Sequence, residues 1–111
     1  MNKKLLKTKV LLMEKVRLEY YLVRENYSDP EEEVSAVVYG VEIHKIRRDE
    51  YGKEVIQTKL VSDLAFDRKP VEEFIGILYD NSVMPVSLLD IAIEYMDKGY
   101  FDPAGRMMCT A

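Results

Sequence analysis

The chain has 111 residues, of which 16 are basic and 20 acidic, so its formal net charge is −4 and its pI lies near 5.1. This length fits a single domain, and the 48% share of hydrophobic residues excludes a disordered polyampholyte. The longest apolar run near the start, residues 10–13, is too short for a signal peptide or a membrane span, so we expect a cytoplasmic protein without membrane contact.

The charge is unevenly distributed along the chain. Residues 1–24 carry seven basic and two acidic side chains, whereas residues 25–33 carry five acidic ones and no base. Residues 34–70 are nearly neutral, and residues 71–111 carry seven acidic against two basic side chains. The sequence therefore predicts a dipolar molecule with a basic start and an acidic end, able to pair with itself or with a charged partner.

The two ends are the least patterned parts of the sequence. Residues 1–16 could form a basic arm, a short helix or an extra strand over residues 9–16, and residues 100–111 form a tail. The single α+β domain is predicted between them, over residues 17–99.

Strands are predicted in the middle of the chain. Residues 17–25, 35–47 and 54–61 alternate apolar and polar side chains and are rich in β-branched and aromatic residues. Residues 26–33 combine Asn, Ser, Asp, Pro and Glu and predict a loop, whereas residues 49–52 predict the turn of an antiparallel hairpin.

The period changes after the third strand. Apolar residues now follow at positions i, i+3, i+4 and i+7: Val71, Phe74, Ile75 and Leu78. This spacing predicts a helix over residues 71–79, with Pro70 in its first turn and with Glu72 and Glu73 near the positive end of the helix dipole.

A second helix is predicted to begin at Pro85 or Ser87 and to end before Gly99. Asp90 follows Ser87 by three residues, as in a capping box. One apolar row comprises Leu88, Ile91, Ala92 and Tyr95. A second row predicts that the helix is buried on two sides: Leu89, Ile93 and Met96.

Together these elements predict an α+β fold, in which a three- or four-stranded antiparallel sheet precedes a two-helix hairpin packed on one face of the sheet. The predicted core comprises Leu18, Tyr20, Leu22, Val37, Tyr39, Val41, Ile43, Phe74, Ile75, Leu78, Leu88, Ile91, Ala92 and Tyr95.

Motifs for catalysis are not found in the sequence. His44 is the only histidine and is expected to face solvent on its strand, while the only cysteine, Cys109, has no activating neighbour except Arg106. One His and one Cys do not make a zinc site, and no phosphate-binding glycine motif is present, so we expect no cofactor, no metal and no enzymatic activity. A small enzyme that uses carboxylates remains an alternative.

Nucleic-acid binding is a second alternative. The first 17 residues and the hairpin supply basic side chains: Lys3, Lys4, Lys7, Lys9, Lys15, Arg17, Lys45, Arg47 and Arg48. Such charges can contact phosphates when they share a face, but the acidic pI and the acidic helices make nucleic acid an unlikely partner.

Tyrosine is the most informative residue type, because eight Tyr stand against no Trp and three Phe. Tyr tolerates half-burial at interfaces, and the neighbours Tyr20 and Tyr21 must point to opposite faces of a sheet. The sequence therefore favours a non-enzymatic protein-interaction or regulatory module, with an unknown protein partner or with self-association through an edge strand or the arm. The candidate interaction surface comprises Tyr21, Arg47, Arg48 and Tyr51.

The order of these elements resembles a small domain family of unknown function from clostridial Firmicutes. The likeness covers residues 18–98 and is carried by Tyr39-Gly40-Val41-Glu42-Ile43, by Val61-Ser62-Asp63-Leu64 and by the two predicted helices. That family has a His near the start of its second helix, where this chain has Ser87. The resemblance implies a bacterial, cytoplasmic setting and no particular activity.

Overall fold

A computed structural model describes residues 3–29, 31 and 34–101. Four strands and two helices follow one another along the chain: β1 Lys3–Leu12, β2 Val16–Asp29, β3 Val34–Arg48, β4 Glu54–Ala65, α1 Arg68–Asp80 and α2 Pro85–Asp97. The strands form one antiparallel sheet in the order β1-β2-β3-β4, so β1 and β4 are its two edges.

The predicted α+β fold is confirmed, with four strands in the sheet. Helix α1 packs across all four strands and α2 packs on β3 and β4, on the same face of the sheet. Strand and helix residues share one core, since alternation in the strands and the 3.6-residue period in the helices both direct apolar side chains into it. Its fully buried members are Leu18, Tyr20, Leu22, Val41, Ile43, Val71, Phe74, Ile75, Leu78, Leu88 and Ala92.

Tyr20 anchors the centre of this core. Its side chain is completely buried, and its hydroxyl donates a hydrogen bond of 3.0 Å to the backbone carbonyl of Val83, in the connection between the helices. Burial raises the pKa of the Tyr20 hydroxyl to about 12, so it remains a donor over the working pH range.

The predicted core needs two corrections. Four of its residues are only partly buried, because they lie at the margins of the helix-covered area: Val37, Tyr39, Ile91 and Tyr95. Val23 lies on the opposite face of the sheet and yet is fully buried. It is flanked there by Leu5 of β1 and by Gly40 of β3.

The strands are longer than predicted. Residues 26–29 were predicted to lie in a loop but continue β2, where they pair with residues 34–37. Pairing with a neighbouring strand here outweighs the turn preference of Asn, Ser and Asp. Of the alternatives for residues 1–16, the structure has a strand, and it lies at Lys3–Leu12 instead of residues 9–16.

The predicted β3–β4 turn is present and tightly bonded. Gly52 adopts φ 77°, which favours glycine, and its amide donates to the carbonyl of Asp49 at 3.0 Å. The Asp49 carboxylate accepts bonds of 2.9 Å from the amides of Tyr51 and Lys53. These bonds hold the start of β4 beside the end of β3.

A bulge distorts the far end of β4. Val61 pairs with Val41 and Ala65 with Tyr39, so three residues of β4 stand opposite Gly40 alone. A Cβ at Gly40 would overlap the carbonyl oxygen of Val61 and lie 2.8 Å from the Cα of Ser62. Glycine is therefore required for β4 to approach β3 so closely.

Three details of the helix predictions are wrong. Helix α1 begins at Arg68, so Glu72 lies in its second turn, where it pairs with Arg68 at 2.7 Å instead of interacting with the helix end. Helix α2 begins at Pro85 and no side chain caps its first turn, so the capping box of Ser87 and Asp90 does not form.

The third error concerns the second apolar row of α2, which is exposed and not buried: Leu89, Ile93 and Met96. The helix rests on the sheet through the other row, and periodicity alone does not show which side of a helix is covered. The tail prediction and Cys109, with Arg106, lie outside the described residues.

Candidate functional site

The face of the sheet opposite the helices carries a group of charged and aromatic side chains. They project from adjacent positions on β1, β2 and β3, and we name them the open-face cluster: Lys3, Lys7, Arg17, Glu19, Tyr21, Glu42 and His44. Its two carboxylate residues are only 8% exposed, although no helix covers them. Their neighbours on the same face enclose them.

Glu19 is the centre of one half of this cluster. One of its carboxylate oxygens, Oε1, accepts a 2.7 Å hydrogen bond from the Tyr21 hydroxyl. The other, Oε2, lies 3.1 Å from Lys7 Nζ and 3.1 Å from Arg17 Nε. Lys7 comes from the edge strand β1, so this half of the cluster ties β1 to β2.

Glu42 is the centre of the other half. Its Oε1 lies 3.1 Å from Lys3 Nζ and its Oε2 contacts His44 Nε2. The His44 ring packs against the Tyr21 ring with 4.5 Å between centroids, which joins the two halves. His44 is therefore half-buried and engaged, which corrects the expectation that it simply faces solvent.

The pKa shifts follow from this pairing. Burial alone would raise the pKa of the Glu19 carboxyl, but hydrogen bonds from Tyr21 and Lys7 outweigh it and lower that pKa. The pKa of Glu42 is lowered in the same way, against its burial, by His44 and Lys3. The bond to Glu19 raises the pKa of Lys7, and burial followed by the bond to Glu19 raises that of Tyr21.

These shifts accompany the pairing of the two carboxylates. A general acid needs a carboxyl with a raised pKa, whereas hydrogen bonds lower the pKa of both carboxyls here. Each also contacts at least two donors, one of which is a lysine of β1. The arrangement is suited to holding β1 against the sheet.

The structure separates the four predicted interaction residues into two places. Tyr21 belongs to the open-face cluster, where Lys7 Nζ lies 5.8 Å from its ring centroid. Arg47 and Arg48 end β3, and Tyr51 lies in the adjoining turn with 86% of its surface exposed. Arg48 donates to the carbonyl of Gly52 at 2.9 Å, so one of the two guanidinium groups supports the turn.

The basic arm is likewise engaged with the rest of the sheet. Lys3 and Lys7 contact the carboxylates described above, and Lys9 Nζ lies 5.0 Å from the ring centroid of Tyr79 in α1. Three of its lysines thus have partners within the chain. The weak expectation of nucleic-acid binding remains a prediction.

The opposite edge, β4, is different. Its regular part, residues 54–61, carries only two charges, Glu54 and Lys59. Apolar side chains on its open face are exposed to solvent, with Ile56 at 55% and Leu60 at 37%. Its outer backbone groups have no strand partner within the part of the chain that the structure describes. An edge of this composition is open to pairing with another strand.

A row of exposed apolar residues runs along α2, and we name it the α2 outer stripe: Val86, Leu89, Ile93 and Met96. Ile91 and Tyr95, on one flank of α2, face α1, where the Tyr95 and Phe74 rings lie 5.1 Å apart. The stripe lies on the other flank of the helix. It therefore points away from α1 and past the β4 edge.

The α2 outer stripe and the β4 edge adjoin. A groove of about 330 Å³ lies between them, with Gln57, Thr58 and Lys59 on the strand side and Pro85 and Val86 on the helix side. The unpaired strand and the exposed helix flank thus meet at Val86, at the N-terminal end of α2, and together form one surface. We name it the β4–α2 surface.

The β4–α2 surface could not be predicted from the sequence, because it depends on how the helix packs on the sheet. The apolar row on α2 was visible, but its exposure depends on where the helix rests on the sheet. One feature of the sequence does distinguish the two edges. Residues 54–61 carry little charge, whereas β1 carries four lysines, and low charge indicates an edge that is open to pairing.

The described residues contain neither a group of metal ligands nor a helix that could span a membrane. Among residues 3–29, 31 and 34–101, no three or more His, Cys, Asp or Glu side chains are grouped to hold a metal ion. In the same residues, neither helix has the length and apolarity needed to traverse a bilayer.

Comparison with known proteins gives one result. A family model described as a family of unknown function, DUF6514, matches residues 2–98, which include every strand and helix of the fold. No curated protein and no solved structure matches the chain significantly.

Proposed function

The chain belongs to the DUF6514 family of unknown function, and from this starting point we propose that it is a non-enzymatic protein-interaction module that binds through the β4–α2 surface. The family-model match extends over the whole surface. The resemblance to a clostridial family supports a bacterial, cytoplasmic setting for the interaction.

The observation that carries this proposal is the continuity of the β4 edge with the α2 outer stripe. An open strand edge offers backbone donors and acceptors, which give affinity to any extended chain laid beside it. The exposed apolar residues beside that edge, among them Ile56 and Leu89, add surface that gains free energy when it is removed from water. The partner is therefore an extended segment with apolar side chains.

The two alternatives from the sequence have less support. On the open face, Glu19 and Glu42 are paired with donors and line neither groove. A second groove, of about 700 Å³, does hold carboxylates, but as many basic side chains line it: Glu14, Asp49, Glu50 and Glu54 beside Lys15, Arg17, Arg47 and Arg48. Two of the arm lysines that would contact phosphates, Lys3 and Lys7, are paired with these same carboxylates.

A photo-crosslinking experiment in cells tests the proposal. A photoreactive amino acid is placed at Thr58 on β4 or, as the matched control, at Thr8 on β1, because both are exposed threonines on edge strands. Illumination should give crosslinked adducts from Thr58 and few from Thr8. Adducts at twice the chain mass identify a second copy, and other masses identify a different protein.

Equal adduct yields from the two positions, or none from Thr58, would refute the proposed function. Adducts from Thr8 alone would place the interaction on the opposite edge.

A further inference from the structure

We propose that the partner of the β4–α2 surface is a second copy of this chain, paired antiparallel through β4 about a two-fold axis at Thr58. This inference rests on the proposed function and names its partner. The two sheets would join into one of eight strands, in the order β1-β2-β3-β4-β4-β3-β2-β1.

The side-chain register of β4 favours this pairing. In β4, Ile56, Thr58 and Leu60 lie on the open face, opposite Ile46, His44 and Glu42 of β3. Antiparallel pairing about Thr58 places Ile56 of each copy opposite Leu60 of the other. The two most exposed apolar side chains of the strand thereby cover one another, twice in the dimer.

The remaining pairs of this register are also compatible. Thr58 faces its own copy across the axis, and threonine pairs are favourable cross-strand neighbours. On the helix face, Gln57 stands opposite Lys59, and Val55 stands opposite Val61. A shift by one residue would turn the second sheet over, which would place its helix face beside the open face of the first and separate the two α2 outer stripes.

Charge complementarity supports the same register. Within residues 54–61 no like charges stand directly opposite one another, because this register places Glu54 opposite Ser62 and Lys59 opposite Gln57. The exposed Lys53 at the start of one β4 lies beside the bulge of the other, which carries the exposed Asp63. Opposite charges therefore meet at both ends of the paired strands.

The α2 outer stripe adds area on the helix face of the joined sheet. Its first residue, Val86, lines the same groove as Thr58, so a two-fold axis at Thr58 brings the N-terminal ends of the two stripes toward one another. The paired strand and the four-residue stripe together place about 12 residues of each copy in the interface. A standard interface has roughly 20–30 residues a side, so this dimer is smaller than usual. We therefore expect a dissociation constant in the roughly micromolar range.

A disulfide experiment tests both the dimer and its register. Thr58→Cys in a Cys109→Ser background places the only cysteines of the two copies opposite one another, where directly opposed β residues meet the Cα separation of a disulfide. The matched controls are Thr8→Cys on β1 and Gln57→Cys on β4, each with Cys109→Ser. The readout is the rate of dimer formation on a non-reducing gel under mild oxidation.

We expect Thr58→Cys to form the disulfide dimer at least about 10-fold faster than either control, because pairing raises the effective thiol concentration. Equal rates for Thr58→Cys and Thr8→Cys would overturn the self-pairing. A faster Gln57→Cys would overturn the register and with it the proposed dimer. Crosslinks from Thr58 to other proteins only, without a disulfide dimer, would remove the self-pairing and leave the interaction function in place.

Discussion

The two edge strands of the sheet differ in the side chains that flank their exposed backbone groups. Strand β1 carries four lysines in ten residues, and two of them, Lys3 and Lys7, reach across to carboxylates on β3 and β2. Strand β4 carries one lysine and one glutamate over residues 54–61, and exposes Ile56 and Leu60. Both edges expose apolar side chains, with Leu5, Val10 and Leu12 on β1, but only β1 also carries four lysines.

This difference indicates that only one edge is closed to other strands. Lysines along an edge oppose pairing, because a second chain would bring like charges together or strip water from them. Nothing comparable protects β4, and the α2 outer stripe adds further apolar surface beside it. The open-face cluster is therefore suited to holding the sheet together, and the β4–α2 surface is the one that we propose binds a partner.

The largest expected loss of stability comes from a substitution at Gly40, the β3 residue that β4 approaches most closely. Gly40→Ala should lower the free energy of unfolding by about 3 kcal/mol, the upper end of the range for overpacking, because the new methyl group meets the backbone of β4. Denaturant unfolding measures this loss.

Gly76→Ala is the matched control for that variant. A Cβ at Gly76 has nothing within 4 Å, and the residue lies inside α1, so this change should be neutral or stabilise by about 0.5–1 kcal/mol. Equal losses for the two variants would contradict the close approach of β4 to β3.

A smaller effect is expected from the β1 side. Glu19→Gln removes the charge that holds Lys7 and Arg17, and should lower the free energy of unfolding by about 1–2 kcal/mol. Hydrogen exchange should show faster exchange of β1 amides, with β4 unchanged. The exposed Glu14→Gln is the control, and faster exchange in β4 as well would show that the two edges are not independent.

The smallest expected effect is the pH dependence of the stabilisation that Glu19 provides. Because the pKa of Glu19 is lowered in the folded protein, its stabilisation is present above the ordinary carboxyl value of 4.5 and is lost as pH falls through the lowered pKa. The stability difference between the native chain and Glu19→Gln should therefore shrink below pH 4.5. A difference that grows in acid would contradict the ionised state of Glu19.

Much of the fold could be predicted, because the local sequence patterns agree with the secondary structure that the tertiary packing stabilises. Alternation located three strands, and helical spacing at Val71, Phe74, Ile75 and Leu78 located α1. Residues 26–29 were mistaken for a loop, because the pairing of β2 with β3 is a non-local interaction that turn-prone side chains do not reveal.

The site was less predictable, because it depends on register and on helix placement. The proximity of Lys7 to Glu19 requires the register of β1 on β2, and no sequence period specifies that register. The exposure of Leu89 and Ile93 requires the position of α2 above β4. Alternation correctly predicted that Tyr20 and Tyr21 lie on opposite faces of the sheet. It did not predict the hydrogen bond from the Tyr21 hydroxyl to Glu19.

The most direct test of the account is the molar mass of three proteins, measured by sedimentation over a range of concentrations. Leu60→Lys on β4 and Leu5→Lys on β1 make the same substitution on opposite edges, at residues that are 37% and 39% exposed. The native chain and Leu5→Lys should both approach twice the 12.9 kDa chain mass as concentration rises.

Leu60→Lys should remain near the single-chain mass, with its dissociation constant raised at least about 10-fold, because it places an ammonium group opposite the apolar Ile56 of the second copy. A native chain that stays at 12.9 kDa at every concentration, or an equal response of the two variants, would contradict the account.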